Sequence, residues 1–411
     1  MTADVAKPLQ NIRVLDFGHT IMGPGAGLIL ADLGADVIKV EPYEGDSTRR
    51  MPGFAAGFFA TFNRNKRSIA LDLKTPRGQA ALHRLVAGAD VLLENFGPGT
   101  IERLGCRWED LAKINPRLIF LSMKGYLKGP YEHRGALDEV VQMQSGIAYM
   151  TGPPGQPLRA GASIIDILGA VFGVVAVLAA INERAITGQG KRVGSSLFES
   201  AAFLMASHIA GGAVTGEPMR PFPARTNAWG VYDVFDTRDG QVFIGITSDA
   251  HWSRFCKQFG LAELGGDPRL QSNTDRCANR HWMLPVLKRL FAEQAMADVL
   301  AACDTAMLPY AKVGHPDELP RDPHLAAGGL VETAISALGK HLIAHLPGLP
   351  MEFGEFRERT RLERQPPGIS EHGEQVLREA GLTPAEVEAL VQERILRRPD
   401  AQVAARNENV A

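Results

Sequence analysis

The chain has 411 residues, of which 45% are hydrophobic and 22% charged, the composition of an ordinary globular protein with room for two domains. Its formal net charge is −2, so we expect no general basic surface that recruits nucleic acid or an anionic membrane. The four cysteines are scattered, which argues against a zinc site or a disulfide framework. With no apolar signal-peptide core in the first residues, we expect a cytoplasmic protein.

Short apolar runs alternate with helical patterns in the first third of the chain. Strands are predicted at 12–17, 36–40, 68–73, 90–95 and 118–123. One helix follows the first strand, and another begins after Thr75 with Pro76 at its first position. Strands separated by helices are typical of parallel β-α-β units. We therefore predict an α/β fold with a large, Rossmann-like, doubly wound domain.

The segment from Ile164 to Ile181 is apolar enough to suggest a membrane span. It contains Asp166 near its start, however, and the charged stretch NERAITGQGKR follows at once. Because a carboxylate inside a lone span is costly, we interpret the segment as a long helix buried in the α/β core. Gly188 and Gly190 mark its end.

The pattern changes after the Pro- and Gly-rich segment 215–230. GVYDVF, a turn at 237–240 and QVFIGIT predict a β-hairpin, with helices near 250–260 and 279–294 and two more after 370. We predict three parts: a large α/β domain over 1–224, a smaller α+β domain over 225–330, and a C-terminal segment over 331–411 that returns to the large domain.

A glycine-rich stretch suggests a nucleotide site. Gly23, Gly25 and Gly27 follow a strand and open a helix, and Glu41 ends the next strand. Leu28 stands where the dinucleotide fingerprint requires its third glycine, so we favour tight packing over NAD binding.

A basic loop, FNRNKRS, precedes the third strand. Its cations could bind the phosphates of a nucleotide-like cofactor, and a solvated basic loop is the alternative. The chain has neither a Walker A sequence nor a G-x-S-x-G motif, so ATP cleavage and serine hydrolysis lack support.

Asp166 lies in Ser163-Ile164-Ile165-Asp166, directly before sixteen residues without a charge. The spacing matches a capping box, in which Ser163 caps the helix and the acid faces the free amides of the first turn. The helix dipole would favour an ionised carboxylate. An ionised, partly desolvated carboxylate can also be a nucleophile. We therefore expect Ser163 to cap the helix and Asp166 to stay ionised.

Several strings occur in an order that resembles one enzyme family. They are VLDFGHTIMGPGAGLILADLGADVIKVE, FNRNKRSIALDLKTPRG, ADVLLENFGPGTIERLG, NPRLIFLSMKGY, ASIIDILGAVFGVVAVLAAINERAITGQG, GDPRLQSNTDRCANR and PPGISEHGEQVLREAGL. They extend over nearly the whole chain and resemble the family III CoA-transferases, the CaiB/BaiF group. GPYEHRGALDEVVQMQSGIAYMTGPPGQPLRAG resembles the branch with mesaconyl-CoA and succinyl-CoA:dicarboxylate CoA-transferases, which handle four- and five-carbon dicarboxylates.

The resemblance implies that Asp166 attacks an acyl-CoA thioester and carries first an anhydride and then a CoA thioester. It implies coenzyme A as a substrate, no tightly bound cofactor, no metal, and an interlocked homodimer. The implied CoA contacts are His19, Thr20, Asn65, Lys66, Asn95, Phe96, Arg103 and Lys124.

Arg134 or Arg159 is our hypothesis for the residue that holds the distal carboxylate of a C4–C5 dicarboxylate such as mesaconate, itaconate, citramalate or malate. A structural ion pair is the alternative for either arginine.

Three other functions stay open. An α-methylacyl-CoA racemase of the same superfamily uses a histidine where this chain has Leu137, and leucine cannot exchange a proton. A non-catalytic CoA-binding protein would not need Asp166. A nicotinamide oxidoreductase is the third.

Overall fold

The computed structural model describes residues 7–224, 228–353 and 362–400. The chain divides into two compact units. One comprises the chain up to Pro223 and again from Asp322 onward, and the other is Ala224–Arg321. The sequence had placed the corresponding divisions at 224/225 and 330/331.

The first unit is built on a six-stranded parallel sheet with the strand order β3-β2-β1-β4-β5-β6. This order is that of a doubly wound Rossmann-type sheet and confirms the predicted α/β class. Five of the strands were predicted, and β6 was missed. The strands are β1 Arg13–Asp16, β2 Asp36–Glu41, β3 Arg67–Ala70, β4 Val91–Glu94, β5 Ile119–Lys124 and β6 Arg192–Ser196.

Helices cover both faces of this sheet. Thr75 caps α3 as predicted, because its hydroxyl accepts a hydrogen bond from the Gly78 amide at 3.0 Å. The helices up to Pro223 are α1 Met22–Asp32, α2 Phe58–Asn63, α3 Pro76–Ala87, α4 Thr100–Arg103, α5 Trp108–Ile114, α6 Asp138–Gln144, α7 Ile147–Thr151, α8 Ile164–Thr187, α9 Leu197–Leu204 and α10 Ala206–Thr215.

Alternate residues of each strand enter two separate cores. Val14 and Leu93 face a core that contains residues of α1 and α8. Leu15 and Leu92 face a core that contains residues of α3 and α5. Because side chains alternate along a strand, the apolar residues of the sheet pack against helices on both of its faces, as in a doubly covered parallel sheet.

Helix α8 is buried on one face only. By length and composition it could cross a membrane, yet 39% of its apolar window is buried within the chain. The bent pair α9–α10 passes the same test when the two are taken together. The opposite face of α8 leaves Ile167, Val171, Val175 and Ile186 between 41% and 83% exposed. The prediction of a buried core helix is therefore correct for one face and wrong for the other.

The chain returns to the first unit after Arg321. Val376, Leu377, Val387 and Leu390 of the last two helices join the core of α3 and α5. The elements are α16 Pro323–Ala326, an antiparallel hairpin of β10 Leu330–Ala337 with β11 Lys340–Pro347, α17 Gly373–Glu379 and α18 Pro384–Gln392.

The second unit is an antiparallel three-stranded sheet with helices around its own apolar core. The hairpin β7–β8 and the helices near 250–260 and 279–294 match the predicted positions. The elements are β7 Val231–Thr237, β8 Gly240–Ile246, α11 Asp249–Gln258, α12 Ala262–Gly266, α13 Asn273–Ala278, α14 Arg280–Ala292, α15 Met296–Thr305 and β9 Tyr310–Lys312.

Candidate active site

A cavity of about 240 Å³ lies at the carboxyl ends of β1 and β4, where the strand order reverses. Ligands bind at this position in doubly wound sheets, because the loops after the two strands diverge and leave a crevice. The lining includes His19, Thr20, Asn95, Phe96, Lys124, Arg134 and Asp166 of the predicted site, together with Glu132, Leu137, Asp138, Glu139 and Ser163.

The turn after β1 and the loop after β4 form one wall of the cavity. The Asn95 side chain accepts a hydrogen bond from the His19 amide at 2.8 Å and donates one to the His19 carbonyl at 3.0 Å. The rings of His19 and Phe96 stack with centroids 5.3 Å apart. Thr20 adopts a φ of +64°, rare for a β-branched residue. The wall therefore presents a rigid, partly aromatic surface.

A buried carboxylate, which the sequence analysis missed, organises the loop after β4. Glu94 accepts hydrogen bonds from the Ser122 hydroxyl at 2.6 Å and the Phe96 amide at 2.9 Å. Lys124 donates to Glu94 and to the Phe96 carbonyl, both at 2.7 Å. The acid directly before Asn95 at the end of a predicted strand was the signal that could have identified it. Lys124 thus reaches the cavity as part of a fixed ion pair.

Helix α8 is capped differently from the prediction. The Ser163 side chain makes no capping hydrogen bond. Instead the Asp138 carboxylate accepts from the amides of Ile165 at 2.8 Å and Asp166 at 3.0 Å. Asp138 begins α6, far from Ser163 in sequence, so local spacing could not reveal this cap. The capping-box prediction for Ser163 is wrong, and the amides of the first turn serve a neighbouring acid.

The electrostatic expectation for Asp166 is wrong as well. Burial is the largest cause that raises its pKa, to about 7, and the charges of Asp138 and Glu139 raise it further. No described residue donates a hydrogen bond to its carboxylate or forms an ion pair with it. Because Asp138 occupies the amides, the helix start does not hold Asp166 ionised at low pH. The Asp166 carboxyl therefore titrates nearer to neutral pH than an ordinary aspartate.

Two predicted CoA contacts lie outside the cavity and inside the protein. Lys66 is fully buried, and its ammonium contacts Asp16 at 2.6 Å, the Pro24 carbonyl at 2.9 Å and Asn63 at 3.0 Å. Asn65 is 9% exposed and donates to Asp32 at 2.7 Å. All three ammonium protons of Lys66 have partners, so this position does not fit a direct phosphate contact.

The three remaining arginines lie at the surface. Arg103 is exposed and donates to Thr100, and it does not line the cavity. Arg134 lines the cavity with its guanidinium 4.1 Å from the centre of the Tyr131 ring. Arg159 lies 3.1 Å from Glu139, which does line the cavity.

The glycine-rich stretch is a packing feature, in agreement with its interpretation from the sequence. A Cβ at Gly27 would lie 2.3 Å from an Asp16 oxygen, and one at Gly23 would lie 2.6 Å from Asn95. Glu41, the acid of the dinucleotide pattern, is buried and accepts from Arg49 and from other neighbours. It is not available to a ribose.

Comparisons with known proteins agree on one family. The family model of CoA-transferase family III matches residues 9–373. The succinate–glutarate CoA-transferase of Agrobacterium fabrum is 33% identical over 386 residues, which cover 90% of this chain and 95% of that protein. The succinyl-CoA:mesaconate CoA-transferase of Haloarcula hispanica is 31% identical, with 91% and 96% covered.

The solved structure of a CaiB/BaiF family protein from Brucella suis matches with a TM-score of 0.78 at 30% identity, covering 91% of this chain and 99% of that one. The cavity at the strand-order reversal contains a carboxylate and the wall that the family motifs form. With the family model over most of the chain, these findings lead to one assignment: the chain belongs to CoA-transferase family III and is a CoA-transferase.

Proposed function

We propose that this protein transfers coenzyme A from an acyl-CoA such as succinyl-CoA to a C4–C5 dicarboxylic acid through covalent intermediates on Asp166. The observation that carries the proposal is the Asp166 carboxylate, which lines the cavity without a hydrogen-bond donor or an ion-pair partner among the described residues. Its pKa of about 7 leaves much of it ionised at neutral pH although it is poorly solvated. A desolvated carboxylate is a suitable nucleophile for a thioester.

The chemistry runs in two matched halves. A carboxylate oxygen of Asp166 attacks the acyl-CoA carbonyl, the C–S bond breaks, and a mixed anhydride and CoA thiolate form. The thiolate attacks the Asp166 carbonyl of the anhydride, which releases the donor acid and leaves CoA on Asp166 as a thioester. The acceptor acid then attacks that thioester, and the thiolate attacks the acceptor carbonyl of the new anhydride. Asp166 is regenerated, and no ATP is consumed.

Coenzyme A would lie against the wall of His19, Thr20, Asn95 and Phe96. The stacked rings offer an apolar surface to the pantetheine or adenine, and Lys124 adds a positive charge held by Glu94. We propose that Arg103 makes a phosphate contact from the rim. In this proposal Asn65 and Lys66 support the cavity from within the protein.

The acceptor class rests on Arg134, Arg159 and the relatives. The two relatives described above are named for glutarate and mesaconate, which are both five-carbon dicarboxylates. Arg134 lines the cavity and, unlike Lys124, which Glu94 holds, forms no ion pair with a described carboxylate, so we assign it to the distal carboxylate of the acceptor. Arg159 can bind the distal carboxylate only if its ion pair with Glu139 breaks.

Replacing Arg134 with Ala should lower kcat/KM for mesaconate about tenfold to a hundredfold more than for a monocarboxylate of similar size, because one charge-assisted hydrogen-bonded pair is lost. Arg159→Ala is the matched variant. Equal losses for mono- and dicarboxylates in both variants would refute a role in reading the distal carboxylate.

The exposed apolar face of α8 supports a homodimer, which we propose to be the active form in the cytoplasm. A second copy that packs on this face would remove Ile167, Val171, Val175 and Ile186 from water. It could also cover the exposed Phe203 of α9. Light scattering after size-exclusion chromatography should give twice the chain mass of 44.4 kDa. A monomer at micromolar concentration would contradict the proposal.

The deciding experiment is mass spectrometry of CoA products. Succinyl-CoA is the donor, and glutarate, mesaconate, itaconate, citramalate and malate are the acceptors. Wild type should form a new acyl-CoA with at least one acid, and Asp166→Asn should lose activity on the order of a thousandfold or more, because the nucleophile is gone while the shape is kept. Equal turnover by Asp166→Asn would refute the covalent mechanism.

If wild type transfers CoA to none of these acids, the dicarboxylate assignment fails and branched acyl-CoAs should be tested for epimerisation. Leu137 lines the cavity at the position of the racemase histidine and has no proton to exchange, so we expect no epimerisation.

A further inference from the structure

A buried chain of hydrogen bonds runs from the loop before α8 to the backbone of Asp166. The Ala160 amide donates to Gln142 Oε1 at 2.8 Å, and Gln142 Nε2 donates to Asp138 Oδ1. Asp138 Oδ2 then accepts from the amides of Ile165 and Asp166. Gln142 is 0% and Asp138 3% exposed. The backbone at Asp166 is thus fixed from α6.

This arrangement is more than a helix cap requires. Ser163 stands at the cap position, and a serine hydroxyl commonly caps a helix without any charge. Here a carboxylate does so instead, buried and without an ion-pair partner among the described residues. Hydrogen bonds from Gln142 and from the amides of Ile165 and Asp166 compensate the burial of this carboxylate, and the same bonds connect α6 to a residue that lines the cavity.

Resting on the proposed role of Asp166 as nucleophile, we propose that Asp138 and Gln142 are positioning residues for CoA transfer. They fix the backbone of Asp166 and occupy the amides of the first turn of α8, so that the Asp166 carboxylate faces the cavity without a local hydrogen-bond donor.

The consequence for reactivity follows from what the amides would otherwise do. A carboxylate in the first turn of a helix is stabilised by free amides and becomes a weaker base. With the amides of the first turn taken by Asp138, burial and then the charges of Asp138 and Glu139 raise the pKa of Asp166. The other titratable groups that line the same cavity are Glu139 beside Asp138, Glu132 and Arg134 of the preceding loop, Lys124 at the end of β5 and His19 after β1.

The direction of the hydrogen bonds permits a test that moves the charge but not the shape. In Asp138→Asn the new side-chain amide meets Gln142 Nε2, so two donors face each other. In the double variant D138N/Q142E the carboxylate introduced on α6 accepts from both that new amide and the Ala160 backbone amide, and every hydrogen bond is matched again. The negative charge then lies one side chain farther from Asp166.

We would measure kcat/KM for CoA transfer between pH 5 and 9, together with trapping of an Asp166 adduct by hydroxylamine. Asp138→Asn should lose about tenfold to a hundredfold, because small misplacements of a nucleophile are costly. In D138N/Q142E, kcat/KM should recover to within about threefold of wild type at a pH of about 8.5. The acidic limb, the fall of kcat/KM as the pH is lowered, should begin at a lower pH than in wild type because the negative charge lies farther from Asp166. Thr75→Ala, which removes a remote cap, should leave the limb unchanged.

The outcomes separate the two proposals. Wild type without an adduct on Asp166 would overturn the proposed function itself. An adduct in wild type combined with a D138N/Q142E variant that does not recover kcat/KM, or with a D138N variant within about threefold of wild type, would overturn only the positioning role. If D138N does not fold, the double variant, whose hydrogen bonds are matched, still gives this result.

Discussion

Two pairs of carboxylates adjoin the active-site region, and their surroundings differ. Asp16 contacts Lys66 at 2.6 Å, and Asp46 contacts Lys39 at 2.8 Å. Asp138 and Asp166 have no ion-pair partner among residues 7–224, 228–353 and 362–400. The first pair is neutralised and holds the turn after β1, whereas the second leaves one carboxylate with a pKa near neutrality. The paired carboxylates support the site, and of the two unpaired ones Asp166 is the carboxylate that we propose to react.

The largest expected effect tests the supporting role of the first pair. Lys66→Ala leaves Asp16 buried without its cation and should lower the free energy of unfolding by about 3–5 kcal/mol. Arg103→Ala, at an exposed position, should leave stability within about 0.5 kcal/mol and raise KM for the acyl-CoA. Urea unfolding and initial rates measure both. A stable Lys66→Ala protein with weakened CoA binding would show that Lys66 contacts the substrate after all.

The second prediction concerns the acidic limb of activity. In the proposed mechanism only the ionised form of Asp166 is a nucleophile, and burial raises the pKa of this group to about 7. Below that pH, kcat/KM should therefore fall about tenfold for each pH unit, and above it the profile should level off. A profile that stays level down to a pH of about 5 would show that the cavity does not raise this pKa.

The third prediction links the same group to stability. The pKa of Asp166 is raised from 3.8 to about 7 by folding, so the folded state holds the proton more tightly than the unfolded state. The stabilisation by this proton is fully present below a pH of about 4 and is lost as the pH rises through about 7. Asp166→Asn should therefore melt a few degrees higher than wild type at a pH of about 8.5, and the difference should disappear near a pH of about 4. Calorimetry at the two pH values decides this.

The smallest effect is expected at Ser163. Since its side chain makes no capping hydrogen bond, Ser163→Ala should change the free energy of unfolding by less than about 0.5 kcal/mol. A working cap would cost about 1 kcal/mol. A loss of that size in urea unfolding would mean that Ser163, and not Asp138, caps α8.

Elements whose signals are local were predictable from the sequence. The Thr75-Pro76 start of α3 and the Gly188 end of α8 are set by backbone preferences of adjacent residues, and both were predicted where the structure has them. The hairpin β10–β11 was missed because its turn lacks the usual local signal. Its turn places Leu338 and Gly339 at positive φ, where Asn-Gly is the usual signal.

Side-chain partnerships across the fold were not predictable. The basic loop suggested a phosphate site, but the partner of Lys66 lies 50 residues away. The carboxylate that caps α8 lies 28 residues before Asp166. Such pairs depend on which strands become neighbours, which the residue pattern did not specify. The residue pattern singled out Asp166 and the family resemblance implied its role as nucleophile, whereas its charge state depends on the burial and the neighbours that only the fold provides.

The loop between β5 and α6 meets the cavity through Glu132, Arg134 and Leu137, which are partly or largely exposed. Asp138 and Gln142 follow directly and are buried. In the proposed mechanism, acceptor choice and nucleophile support are therefore encoded side by side in segments that differ in burial. Exposed loop positions accept substitution at little cost in stability. A directed library restricted to residues 131–137 is consequently a short route to a transferase with a new acceptor acid and an unaltered reaction centre.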